Sequence, residues 1–166
     1  MSYRPKLARL SCSSAIWDEG VAELGRRTLG QSRESGAFLL GEGQDIGCHR
    51  VLEFAFYDDI DSHALDTGIV HFHGDRFPVL WALCRSRGYG VVADVHVHPG
   101  GYKQSASDRR DPVMPRVGHI AFILPDFAAG SNKPGHIGMY EFLGDAVWHD
   151  HSRVGSRFFH LSEETP

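Results

Sequence analysis

The chain has 166 residues, of which 42% are hydrophobic and 23% charged, with a net charge of −4. That length buries a core without staples, and residues 1–166 read as one domain with its core over about 8–160. The acidic balance gives no support to a nucleic-acid partner, which needs clustered Lys and Arg, and no run reaches the roughly 20 apolar residues of a membrane span.

The opening "MSYRPKLARL" has no apolar leader-like stretch. "WDEGVAELGRRTLGQSRE" predicts a helix over 17–34, opened by Ser13, Ser14 or Asp18, with Ile16, Val21, Leu24 and Leu29 near one face. "GAFLLGEG" and "HRVLEFAFYD" predict two strands, antiparallel across the "GEGQDIG" turn. The acidic loop "DDIDSHALDTG" leads to a short strand "IVHFH", then to a helix in "DRFPVLWALCRSRG" capped by Asp75 and stopped by Gly88. "YGVVADVHVH" is the central strand. From Pro99 to Gly118 the chain is a loop with a short helix around "SASDRRD". "HIAFILP", "HIGMYEFLG" and "AVWHDH" are three more strands, and the last seven or so residues are frayed. This order predicts an α/β sandwich, a mixed central sheet flanked by helices. Three cysteines, Cys12, Cys48 and Cys84, are an odd number without C-x-x-C spacing. No disulfide framework follows, and a cytoplasmic protein is expected.

Eleven histidines stand out in the composition. His96 and His98 lie two apart in a strand and so project to one face at its end. Two such imidazoles can share a zinc ion at about 2.0–2.1 Å, with a third protein ligand and a fourth position left open. Asp108 is the best third ligand, because the Pro99-Gly100-Gly101 break can turn the chain back. Asp94 shares the face but lies deeper, where it suits a partner that orients an imidazole; Asp111 also competes. His119 and His136 open apolar strands as structural histidines. His63, His71 and His73 are not placed by sequence alone.

"HVHPGGYKQSASD" resembles the signature of the JAMM metalloproteases, catalytic members of the MPN domain family: His-x-His-Pro, a spacer, then Ser-x-x-Asp. "ESGAFLLG" resembles the family's early strand with its upstream glutamate, and "GHIAFILPDFAAG" and "GMYEFLG" resemble the strands after the site. The similarity runs from about Arg33 to Trp148. The spacer between His98 and Ser105 is one residue shorter than the common form, and Val97 replaces the usual Ser or Thr.

The resemblance implies the MPN (cytidine-deaminase-like) fold and one zinc per chain on His96, His98 and Asp108. It gives Glu34 the role of general base and Ser105 that of donor to the oxyanion. On residue chemistry alone Glu34 reads as a solvated carboxylate beside Glu42 and Glu53. Ser105 also reads as a helix cap, with Ser107 as an alternative for its catalytic role. The implied reaction is hydrolysis after the C-terminal glycine of a ubiquitin-like modifier, in precursor processing or deconjugation. The closest resemblance is to stand-alone bacterial members encoded with ubiquitin-like conjugation machinery, some in antiphage defence operons. Its implied partners are the modifier or its conjugates, E1/E2-like proteins of the operon, and a second copy of the chain. Two alternatives stand beside it: a non-catalytic MPN scaffold, and a small-substrate hydrolase acting on a sulfur-carrier protein's C-terminus.

Overall fold

The structure, a computed structural model, describes residues 8–43 and 48–163. Its strands are β1 (Leu10–Ser13), β2 (Gly36–Gly43), β3 (His49–Phe56), β4 (Gly90–Val97), β5 (Ile120–Leu124), β6 (Gly138–Gly144), β7 (Val147–Asp150) and β8 (Phe159–Ser162). They form one mixed eight-stranded sheet in the order β7-β6-β5-β4-β2-β3-β1-β8. The helices are α1 (Ser14–Arg26), α2 (Tyr57–Ile60), α3 (Phe77–Arg87) and α4 (Ala106–Arg110). The mixed α/β architecture and the central position of β4 are as expected, and the β2–β3 pair is antiparallel. Most of the "GEGQDIG" turn lies outside the described residues. No helix is long and apolar enough to cross a membrane among the described residues.

Each face of the sheet carries its own core. On one, Trp17, Val21 and Leu24 of α1 pack over Leu39, Ala93, Val95, Val97 and Phe122. On the other, Leu80 and Cys84 of α3 pack with Phe38, Leu40, Tyr57 and Val91. The buried Cys84 is a small core residue, as its apolar setting suggested. Opposite β2, the register of β4 jumps from Ala93 to Val91, so Val92 is a bulge. Above it Ala93, Val95 and Val97 face α1, and alternation turns Asp94 and His96 to the other face.

Four expectations are corrected. The first helix is capped by the Ser13 hydroxyl, which accepts from Ile16 N–H at 3.2 Å, but it ends at Arg26. There the Thr28 hydroxyl donates to Gly25 O at 2.7 Å and accepts from Gln31 N–H, and Leu29, Gly30 and Gln31 all take positive φ. "IVHFH" is extended but joins no ladder, since its backbone donors go elsewhere: Val70 N–H to Glu34 Oε2, His71 N–H to Ala64 O, His73 N–H to Asp61 Oδ2. Asp75 sits inside a 3-10 turn, and α3 has Arg76 at its N-cap without a side-chain cap bond; Gly88 at φ 70° does end it. Finally, the C-terminal segment holds β8, which pairs in parallel with β1.

Candidate metal centre

The site forms where β4 runs out. Gly36 of β2 pairs with His96, and Val97 N–H donates to Ser35 O at 2.9 Å, which places Glu34 beside the strand end. On the other side β5 pairs in parallel with β4, His96 opposite Ile123. His98 N–H donates to Leu124 O, extending that ladder by one residue. After β5, Asp126, Phe127 and Ala128 take φ of 52°, 53° and 63°. This left-handed turn sends Phe127 N–H to His98 O at 2.8 Å and Asp126 N–H to Gly100 O at 2.9 Å. Three consecutive non-glycine residues in that region store strain, and here the turn grips the backbone of the second histidine.

The Pro99–Gly101 break returns the chain to α4, whose first turn is a reciprocal capping box. The Ser105 hydroxyl accepts from Asp108 N–H at 3.0 Å, and Asp108 Oδ2 accepts from Ser105 N–H at 2.7 Å. The box fixes the Asp108 carboxylate over the histidines. His96 Nε2 and His98 Nε2 lie 2.9 Å apart, His96 Nε2 is 3.4 Å from Asp108 Oδ1, and His98 Nε2 is 3.2 Å from Asp108 Oδ2.

These distances test the fit to zinc. Bonds of about 2.0–2.1 Å at a tetrahedral angle separate neighbouring ligand atoms by about 3.3 Å. The two imidazole nitrogens, 2.9 Å apart, are near that spacing, and each lies 3.2–3.4 Å from a different oxygen of the Asp108 carboxylate, so the three side chains converge at the separation a shared ion needs. Among the described residues, this is the group of His, Cys, Asp or Glu side chains whose ligand atoms converge; Asp94 and Asp111 are not in it.

The electrostatics favour positive charge at the same point. Burial works against protonation of His96, but Asp108, Asp94 and Glu34 outweigh it and raise its pKa. Burial likewise works against the charged form of Asp108, yet the two histidines and Ser105 N–H hold its carboxyl far below the usual range.

A cavity of about 500 Å³ opens from this cluster. Its floor is the β4–β5 face, with Asp94, His96, His119, Ala121 and Ile123; Ser107, Asp108 and Pro112–Val113 form a wall, and His71 faces them. Glu34 is not among the residues that line the cavity; its Oε2 accepts from Val70 N–H at 3.1 Å, and its charge acts on His96. Ser105 caps α4 and is exposed, while Ser107 lines the cavity.

Asp94 does orient an imidazole, but not a ligand's. Its Oδ1 is 2.7 Å from His119 Nε2, and its Oδ2 accepts from Tyr57 O–H at 2.8 Å. His119 is hydrogen-bonded and structural, as expected, and also lines the cavity; Tyr57, fully buried behind Asp94, is the partner that sequence reasoning missed. The one available signal was Asp94 itself, a carboxylate set among valines in a buried strand. Of the three unplaced histidines, His71 reaches the cavity, His73 is tied to Asp61 at 2.6 Å, and His63 pairs with Asp66 at the surface.

No family model matches the chain. Its fold is similar to the solution structure of a protein from Desulfitobacterium hafniense, with a TM-score of 0.65 and 20% identity over 93% of this chain and 94% of that one. It is also similar to that of a protein from Salinibacter ruber, with a TM-score of 0.58 and 19% identity over 85% and 88% of the two chains. At these identities the likeness is one of fold: this chain shares a mixed α/β architecture with both.

Proposed function

We propose that this chain is a zinc-dependent peptidase of the JAMM type with the MPN fold, cleaving after the C-terminal glycine of a ubiquitin-like modifier. The observation that carries this reading is the convergence of His96, His98 and Asp108 at the end of β4, with Glu34 two residues before the β2 partner of His96 and its charge acting on that imidazole. A zinc ion on those three ligands would act as Lewis acid toward the substrate carbonyl and lower the pKa of a bound water toward about 7.

The chain's own groups do the rest. Glu34 is oriented by Val70 N–H, takes the proton from the attacking water and passes it to the leaving amine. The Ser105 hydroxyl accepts from Asp108 N–H and keeps its own proton to donate to the carbonyl oxygen as negative charge develops. Ser107, on the cavity wall, is the other hydroxyl suited to that role. The modifier's extended tail reaches the site as an added strand, with small terminal residues fitting the approach. The partners proposed are the modifier or its conjugates, with E1/E2-like proteins of a bacterial conjugation system acting before this enzyme.

The test is cleavage of a ubiquitin-like protein fused through its C-terminal glycine to a reporter. Turnover that falls by about 100-fold or more in Glu34→Gln, with zinc content unchanged, supports the peptidase. Equal turnover in Glu34→Gln and wild type contradicts it.

A further inference from the structure

The cavity floor beyond the metal ligands has a chemistry of its own. Asp94 and His119 are 4% and 3% exposed, yet both line the cavity. Each Asp94 oxygen takes one hydrogen bond, from Tyr57 O–H or His119 Nε2, although a carboxylate oxygen can accept two. In the tautomer whose Nε2–H donates to Asp94, His119 Nδ1 is an acceptor. That nitrogen is buried and has no partner among the described residues. The neighbours across the floor, Ala121 and Ile123, supply no side-chain donor. A buried polar atom left unpaired costs about 1–3 kcal/mol, and the acceptors that Asp94 and His119 present at the deep end suit an occupant rich in N–H groups.

We infer that the deep end of this cavity is a specificity pocket for a cationic, N–H-bearing side chain, a primary amine or a guanidinium. Asp94 and His119 recognise it, and Tyr57 holds Asp94 in place. This rests on the peptidase reading for its place in the reaction: along β4, Asp94 lies two residues, about 6.6 Å, from His96. A Lys or Arg flanking the cleaved bond then reaches the pocket while the bond itself lies at the metal ligands. The Asp94 carboxylate supplies the negative charge at this end of the lining, since Asp108 belongs to the metal ligands and Asp111 is paired with Arg110 at 2.9 Å. The pocket thus selects by charge and by donors together.

Binding of n-butylammonium to the full-length protein, followed through the His119 ring signals by NMR, tests this without turnover. Tetramethylammonium, equal in charge but lacking N–H donors, is the control. The expected result is a saturable shift with n-butylammonium and binding about tenfold or more weaker for tetramethylammonium. Asp94→Asn should weaken n-butylammonium to a similar degree. The wild-type comparison stands even if that variant fails to fold. No saturable shift with n-butylammonium, or equal response to the two cations, would overturn the pocket. Failure of the peptidase reading would look different: amine binding intact in a protein that takes up no zinc.

Discussion

Replacing Tyr57 by Phe removes a single oxygen from the interior and makes the energetics of the cavity floor measurable. Tyr57 is fully buried, packed edge-on against Phe38 with ring centroids 4.7 Å apart, and its hydroxyl donates to Asp94 Oδ2 at 2.8 Å. The phenyl ring keeps that packing in the variant, so the change isolates the hydrogen bond. A bond to a charged acceptor contributes about 1.5–3 kcal/mol, and its loss leaves an oxygen of the nearly buried Asp94 carboxylate short of a protein partner. At about 2–4 °C per kcal/mol for a chain of this size, the thermal midpoint should fall by roughly 5–10 °C. Thermal unfolding followed by circular dichroism measures it.

The pH dependence adds a second reading. Burial, and then the charges of Asp94 and Asp108, push the Tyr57 hydroxyl well above its ordinary pKa of 10.0. The folded state therefore holds this proton where the unfolded chain has released it. Its stabilising contribution is complete below pH 10 and is lost as pH rises toward the folded-state pKa. Wild type should lose stability above pH 10 more steeply than Tyr57→Phe. Tyr140, pushed up to about 12, contributes to both proteins and cancels in the comparison. A midpoint unchanged within about 1 °C, with parallel alkaline slopes, would refute the Tyr57–Asp94 linkage.

Zinc added at about 100 times its dissociation constant should stabilise the wild type by about 2.7 kcal/mol, and His98→Ala should abolish that shift in a thermal melt. Asp61→Asn should flatten the acid limb of the stability curve. Burial disfavours the Asp61 carboxylate, but His73 and His63 outweigh it and hold its pKa below the ordinary 3.8. Its contribution is present above that value and lost as pH falls through the folded-state pKa, as urea titrations between pH 2 and 7 would read. Gly41→Ala should destabilise by about 2 kcal/mol or more in urea, because its Cβ would overlap the Arg50 carbonyl oxygen across the β2–β3 bulge.

The features legible in the sequence are those governed by local periodicity. The His-x-His pair shares a face because strands alternate every residue. Asp108 returns to it because Ser105 and Asp108 form a capping box within one turn. Gly88 at positive φ marks the end of α3 where expected.

What escaped depends on partners distant in the chain. β1 and β8 are four residues each, and Leu10 finds Phe159 as its neighbour across most of the chain. Neither segment carries enough alternation alone to announce a strand. "IVHFH" alternates as a strand does, with Val70 and Phe72 packed on the core beneath α3. Its hydrogen bonds, however, go to Glu34, Ala64 and Asp61 in place of a neighbouring strand, and hydropathy carries no record of that. The Tyr57–Asp94–His119 chain joins residues 37 and 25 positions apart, so only the fold assembles it.

The most direct test of the account is metal content. Untagged wild type and His98→Ala, purified in parallel and weighed for metal by plasma mass spectrometry, should hold about one zinc per chain and about none, respectively. A folded wild type that carries no metal and takes up none when zinc is supplied would contradict the metal centre and the hydrolase built on it, and would leave a non-catalytic scaffold as the better account of this fold.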